Sequence, residues 1–228
     1  MNQGAILRFS KEGLRFFILR VFMTSLLLIR HGETDYNSNR RYCGFSNPPL
    51  NASGILQVKS LVKQLKEFDV VAVYSSDLLR AVQTAKAVFP KHQIKTMIDF
   101  RELNFGIFEG LNYSEIMEKY PGLYRDWIKD PSNVLLPNGE EFGEFRKRVS
   151  SALFSIISLN KNKTIALVTH SGPIRLILCE VFGYGLDRFW EVSHELAAFS
   201  IIDYPEGCTP IAIKINESLH LLTRDGGV

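Results

Sequence analysis

Three apolar runs in this sequence end in short polar runs whose side chains could handle a phosphoryl group. Leu26–Ile29 leads into Arg30-His31-Gly32-Glu33-Thr34. Val70–Tyr74 leads into Ser75-Ser76-Asp77, with Arg80 one helical turn on, and Thr164–Thr169 leads into His170-Ser171-Gly172. Open α/β sheets bind ligands beyond the carboxyl ends of their strands. If these runs are strands, two imidazoles and two guanidiniums converge there. Arg30 and Arg80 offer planar forks of donors to phosphoryl oxygens, and Gly32 permits close backbone approach. His31, with one nitrogen unprotonated, can attack phosphorus in line with a leaving oxygen. His170, cationic once phosphate is bound, would stabilise the charge that shifts in the transition state. The departing alkoxide needs a proton from a carboxyl on the opposite side, which then recovers one from the water that hydrolyses phosphohistidine. Glu102, in the polar turn after a third strand, is the candidate.

Other chemistries fit poorly. Ser171 lacks a Gly-x-Ser-x-Gly elbow, so a serine hydrolase is not indicated. There is no HxH, HxxE or HExxH spacing, and arginines beside the histidines would repel a cation, so neither a metal nor another cofactor is expected. Three scattered cysteines, Cys43, Cys179 and Cys208, form no CxxC pair. They suggest a reducing compartment, hence a cytoplasmic protein, rather than a disulfide framework or a zinc site.

The chain has 228 residues, 46% hydrophobic and 22% charged, with a formal net charge of +3. Residues 1–22 carry Arg8, Lys11, Arg15 and Arg20 against Glu12, so this segment alone accounts for the excess. A nucleic-acid binder would concentrate cation on its folded face, so none is expected as a partner. Arg20 splits the apolar run of the same segment. It is too short to span a bilayer and lacks the pattern of a signal peptide, so stable membrane association is not expected. Residues 1–22 read as an extension upstream of a start at Met23, and 23–228 as one domain.

Within that domain strand and helix signals alternate. Leu26–Ile29, Val70–Tyr74, Ile94–Ile98 and Thr164–Thr169 read as strands, with Phe199–Tyr204 and Ile211–Ile215 closing the sheet. Ser53 would cap a helix bearing Ile55, Val58, Leu61, Val62 and Leu65 on one face. Asp77 to Val88 forms a second helix, and Phe142, Phe145, Val149, Ala152, Leu153 and Ile156 mark a long third. Pro173 suits the first turn of a fourth. Residues 111–140 look irregular, with short helical patches, and read as an inserted cap. The predicted architecture is α/β: a three-layer α/β/α sandwich with a mostly parallel sheet and that small cap.

Together, Arg30-His31-Gly32-Glu33-Thr34 with Asn37 and Gly44, Ser76-Asp77-Leu78-x-Arg80, Glu102 with Phe105-Gly106 and Glu109-Gly110, and Thr169-His170-Ser171-Gly172 resemble the histidine phosphatase superfamily, in its phosphoglycerate mutase-like branch. The resemblance covers about residues 24–205. It implies His31 as phosphate acceptor, Arg30, Arg80 and His170 as the phosphate pocket, Glu102 as proton donor, and Asn37 and Gly44 as substrate contacts. The stretch Trp127…Asp130-Pro131…Pro137-Asn138-Gly139-Glu140-Glu141 is similar to α-ribazole phosphatases. The mutases place Arg-His-Tyr-Gly after their acid, whereas Leu103-Asn104-Phe105-Gly106 stands here, and the cap lacks their arginine pair.

The reading is therefore a metal-independent phosphomonoesterase that acts through phosphohistidine on a small phosphorylated metabolite, α-ribazole 5′-phosphate being the named candidate. Residues 111–140 hold five acidic side chains against three basic ones, which favours a monophosphate with a neutral or cationic body. A phosphoglycerate mutase and a non-catalytic phospho-ligand binder are the alternatives. A homodimer is left open.

Overall fold

In the computed structural model, residues 23–218 are described; the reading of residues 1–22 lies outside them. The strands are β1 (Met23–Arg30), β2 (Ala72–Ser76), β3 (Ile94–Met97), β4 (Thr164–Thr169), β5 (Phe199–Pro205) and β6 (Ile211–Glu217). The helices are α1 (Asp35–Ser38), α2 (Ala52–Leu65), α3 (Leu79–Val88), α4 (Tyr113–Lys119), α5 (Pro121–Lys129), α6 (Phe142–Leu159) and α7 (Ser171–Phe182). One sheet holds all six strands in the order β3-β2-β4-β1-β5-β6.

The apolar run of β1 explains the layering. Successive strand side chains point to opposite faces, and Leu26 to Ile29 are all fully buried. Leu26 and Leu28 join a cluster with Phe145, Val149 and Ile156 of α6 and Ile174 and Leu178 of α7. Leu27 and Ile29 join another with Val58 and Leu61 of α2 and Ala81 and Ala85 of α3. Both faces of the sheet are therefore covered, which makes three layers, α/β/α.

The sheet also brings the polar runs together. β1 is parallel to β4, β4 to β2 and β2 to β3, whereas β5 and β6 run antiparallel. In register, Arg30 faces Thr169 and Ser75 faces Val168. His31, His170 and Ser76 thus come next in line at one edge of three neighbouring strands.

Several boundaries differ from the sequence reading. Asn51, not Ser53, caps α2, its Oδ1 accepting from Gly54 N at 2.8 Å, and Ile55 is 49% exposed. Asp77 precedes α3 and pairs instead with Arg101, whose Nε donates to it at 2.7 Å. β3 ends at Met97, where a 3-10 turn over Ile98–Phe100 takes over. Residues 111–140 are more regular than expected. Asn112 and Glu115 form a capping box for α4, and Pro121 opens α5. Ile116, Trp127 and Leu136 from this segment are buried in the same cluster as Leu26, so its apolar side chains share the main core.

Arg148 of α6 ties the turn after β3 in place. Its guanidinium donates to the carbonyls of Asp99 at 2.7 Å, Arg101 at 2.8 Å and Glu102 at 2.9 Å. It also pairs with Glu140 at 2.6 and 2.8 Å. Arg148→Met leaves three carbonyls and one carboxylate without this donor. Thermal unfolding is expected to show a loss of about 3 kcal/mol, and an unchanged Tm would refute this clamp.

Candidate active site

His31 is buried and held on both sides by backbone: its N donates to Thr169 O of β4 at 3.1 Å, and its carbonyl accepts from Ala197 N, in the turn before β5, at 3.0 Å. Its Nδ1 lies 2.7 Å from the carbonyl of Gly32. A carbonyl only accepts, so Nδ1 carries the proton and Nε2 keeps its lone pair. Burial, then the fields of Arg80 and Arg30, hold the His31 pKa well below the usual imidazole range, against the Gly32 contact, which raises it. At neutral pH this is a free-base imidazole with its nucleophilic nitrogen already assigned.

His170 lies beside it, ring centroids 5.1 Å apart. Arg80 Nε donates to its Nδ1 at 3.1 Å, and its Nε2 faces Ser76 Oγ at 2.8 Å. A guanidinium nitrogen cannot accept, so Nδ1 is unprotonated. Burial first, then Arg80, keep the pKa well below normal. In this geometry the ring is a neutral imidazole; the imidazolium expected of it belongs to the phosphate-bound site.

Arg80 is 1% exposed. Besides His170 it donates to Ser46 O at 2.7 Å, Cys43 O at 3.2 Å and Gly44 O at 2.9 Å. One of the five N–H groups in its fork remains uncommitted, fewer than the bidentate donor expected. The side chain thus pins the 43–46 loop as well as lending positive charge. Arg30 donates through one terminal nitrogen to His194 O, and its buried Nε has no partner. Burial lowers the Arg30 pKa to about 10, with Glu102 opposing and Arg175 and Arg80 adding to the fall. No ion pair among the described residues includes Arg30, Arg80 or Arg175.

Glu102 comes from the turn after β3. Both its oxygens lie 3.0 Å from Gly172 N, and Leu103 N donates to Oε1 at 2.9 Å. The close approach requires glycine, since a Cβ on Gly172 would sit 2.1 Å from Oε1. Glu109, the neighbouring carboxyl, is spent on the loop, accepting from Phe45 N at 3.0 Å and Ser46 Oγ at 2.7 Å. A Cβ on Gly44 would meet that carboxylate at 2.1 Å. Gly44 is buried under Arg80 and Glu109 rather than presented to a cavity. The Oδ1 of Asn37 is taken by Thr34, from N at 3.0 Å and Oγ1 at 2.9 Å, in the capping box of α1.

The structure thus gathers His31, His170, Arg30, Arg80 and Glu102 at one strand edge, with Asn37 and Gly44 in the loops around them. Sequence reasoning missed Arg175 and Trp190. With Tyr42, Phe105, Ile128 and Phe189 they line a cavity of about 270 Å³ that opens beside Glu102 and Gly172. Arg175 follows Ser171 by four positions on α7, the spacing of one helix face, and that signal was available. The charge argument from residues 111–140 also changes. Glu115 pairs with Arg41 at 2.8 Å, Glu140 with Arg148 at 2.6 Å, and Asp130 accepts from Ser132 N and Asn133. The charged group that lines the cavity besides Glu102 is Arg175. His194, buried with Nε2 2.9 Å from Ser200 Oγ, serves Arg30 through its carbonyl and has its pKa lowered to about 3 by burial and by Arg30. No group of histidines, cysteines and carboxylates that could hold a metal occurs among the described residues. No helix there is long and apolar enough to cross a membrane.

Similarity to known proteins agrees with this geometry. Residues 26–216 match the histidine phosphatase superfamily (branch 1). Phosphoserine phosphatase 1 of Hydrogenobacter thermophilus is 31% identical over 201 residues, 87% of this chain and 95% of that one. The adenosylcobalamin/alpha-ribazole phosphatase of Escherichia coli is 30% identical over 180 residues, 78% of this chain and 89% of that one. Among solved structures, the YhfR protein of Bacillus stearothermophilus superposes with a TM-score of 0.81 at 27% identity, covering 87% of this chain and 99% of that one. The chain therefore belongs to the histidine phosphatase superfamily, in its phosphoglycerate mutase-like branch, and is a phosphatase of that family.

Proposed function

We propose that this chain is a metal-independent phosphomonoesterase that passes the phosphoryl group through His31. The observation that carries the reading is the His31 ring itself: Nδ1–H is fixed on the Gly32 carbonyl, so Nε2 is unprotonated beside His170 and within the fields of Arg80 and Arg30. Nε2 attacks phosphorus, the P–O bond to the leaving group breaks, and Glu102 in its acid form protonates the departing oxygen. Water then attacks the phosphohistidine, Glu102 takes its proton, and the P–N bond breaks to free inorganic phosphate. Arg30, Arg80 and His170 surround the transferred group, and Asn37 and Gly44 hold the loops that frame it.

The substrate is a small phosphorylated metabolite handled in the cytoplasm, without a nucleic-acid partner or stable membrane association. Relatives named for phosphoserine and for α-ribazole make both phosphomonoesters candidates. A phosphoglycerate mutase is the second reading; phosphate exchange between 2- and 3-phosphoglycerate, primed by the bisphosphate, would reveal it.

A phosphatase screen with EDTA present is the direct test. Activity is expected to survive chelation and to fall by at least about 10³-fold in His31→Ala, with acid-labile phosphate trapped on the wild type alone. A magnesium requirement or an active variant would overturn the reading. In Gly172→Ala the new Cβ displaces the Glu102 carboxyl. The kcat/KM for alkyl phosphates, which reports transfer to His31, is expected to drop about 10²-fold, and that for p-nitrophenyl phosphate, whose leaving group needs no proton, much less. Equal losses on both substrates would remove Glu102 from its role.

Acid sensitivity arises from the same burial. His31, His170 and His194 all have folded pKa values below the unfolded 6.5, so below that pH the unfolded chain binds more protons than the folded one. Stability is therefore retained above about pH 6.5 and lost as pH falls, each histidine adding up to about 1.4 kcal/mol per pH unit. Tm measured from pH 7 to 5 should fall, and fall less steeply in His194→Asn. A flat profile would contradict the neutral assignments.

A further inference from the structure

The cavity beside Glu102 has an unusual polar inventory. Two of the residues that line it, Arg175 and Trp190, each hold a buried N–H, Nε and Nε1, that has no hydrogen-bond partner. Both are N–H groups that can only donate. The Arg175 guanidinium lies over the Trp190 ring at 5.4 Å and near the Phe189 ring at 5.9 Å, so its plane is set by aromatic contact rather than by a carboxylate. The one carboxyl of the cavity, Glu102, is already bonded to Gly172 N and Leu103 N. Buried donors without acceptors are destabilising unless something fills them.

The group that would fill them is narrowly defined. The walls from Phe105, Ile128 and Phe189 are apolar, and the volume is about 270 Å³. A neutral aromatic body would fit the walls and leave both donors unsatisfied. A second phosphoryl group would bring about two negative charges to a single guanidinium. A carboxylate is planar, carries one charge and accepts bidentately from an arginine fork.

We propose that Arg175 and Trp190 form a carboxylate-binding subsite, so that the preferred substrates are phosphomonoesters of small hydroxy acids or amino acids. This rests on the phosphomonoesterase reading above and adds the substrate class to it. Arg175 binds the carboxylate, Trp190 donates a further hydrogen bond, and the ester oxygen is thereby set between His31 and Glu102. Arg175 lies on α7 one turn beyond Ser171 and Gly172, and Trp190 reaches the cavity from the segment after that helix.

The test pairs O-phosphoserine with phosphoethanolamine, which differs only by the carboxylate, alongside p-nitrophenyl phosphate. Wild type is expected to favour phosphoserine by at least about 30-fold in kcat/KM, the scale of a charged hydrogen-bonded contact. That ratio should approach one in Arg175→Met, chiefly through KM, and recover in part in Arg175→Lys. Trp190→Phe keeps an aromatic ring but removes the pyrrole half of the indole with its N–H, so it should lower the ratio several-fold even if the arginine variants fold poorly. Wild type that hydrolyses p-nitrophenyl phosphate but not phosphoserine in preference to phosphoethanolamine overturns the subsite alone. An unchanged ratio in Arg175→Met or in Trp190→Phe does the same. No phosphate release from any of the three substrates overturns the phosphatase reading itself.

Discussion

Positive charge that the fold buries without neutralising it is the constraint on which the rest of this structure depends. Arg80 is withdrawn from solvent among carbonyls and an imidazole, and Arg30 leaves its Nε unpaired. Removing a guanidinium from water without a carboxylate partner is expensive. Globular proteins avoid it unless the charge is needed for something that arrives later. The fold tolerates it here because the carbonyls of Cys43, Gly44 and Ser46 share the Arg80 charge and the carbonyl of His194 shares that of Arg30.

The two imidazoles are shaped by that charge. Uncompensated guanidiniums and burial act in the same direction on His31 and His170, and both stay neutral. A neutral ring is what a nucleophile requires, so the electrostatic field that attracts an anion also readies the group that attacks it. Tautomer choice then falls to fixed neighbours: the Gly32 carbonyl sets His31 through Nδ1, and Arg80 sets His170. The carboxyl of Glu102 is positioned differently, against a backbone N–H at the start of α7, where only glycine leaves it room.

Much of this was legible in the sequence because it depends on contiguous runs. A fully apolar tetrad, Leu26 to Ile29, can only be a strand covered on both faces, and the residues just beyond such a strand in a parallel sheet lie at its reactive edge. The convergence of positions 31, 76 and 170 comes from strand adjacency. Long-range side-chain commitments were not legible. Nothing local says that Arg80 spends most of its donors on the 43–46 loop, or that Glu115 and Glu140 turn away to Arg41 and Arg148. Counting charges along residues 111–140 therefore does not describe the cavity, since the sign of a segment says little about which of its side chains face inward. The two short helices there read only as helical patches, because a seven- or nine-residue helix shows barely two turns of periodicity.

His31 takes its backbone hydrogen bonds from two different neighbours, β4 on one side and the Ala197 turn leading into β5 on the other. The His31 ring is therefore suspended from the centre of the sheet, whereas Tyr42, on the wall of the cavity beside Glu102, packs among Tyr124 and Trp127. The His31 centre and that aromatic wall come from separate parts of the chain. Replacements among those aromatic side chains can reshape what is admitted without disturbing the bond-breaking centre, an arrangement that lets selectivity drift while chemistry stands still.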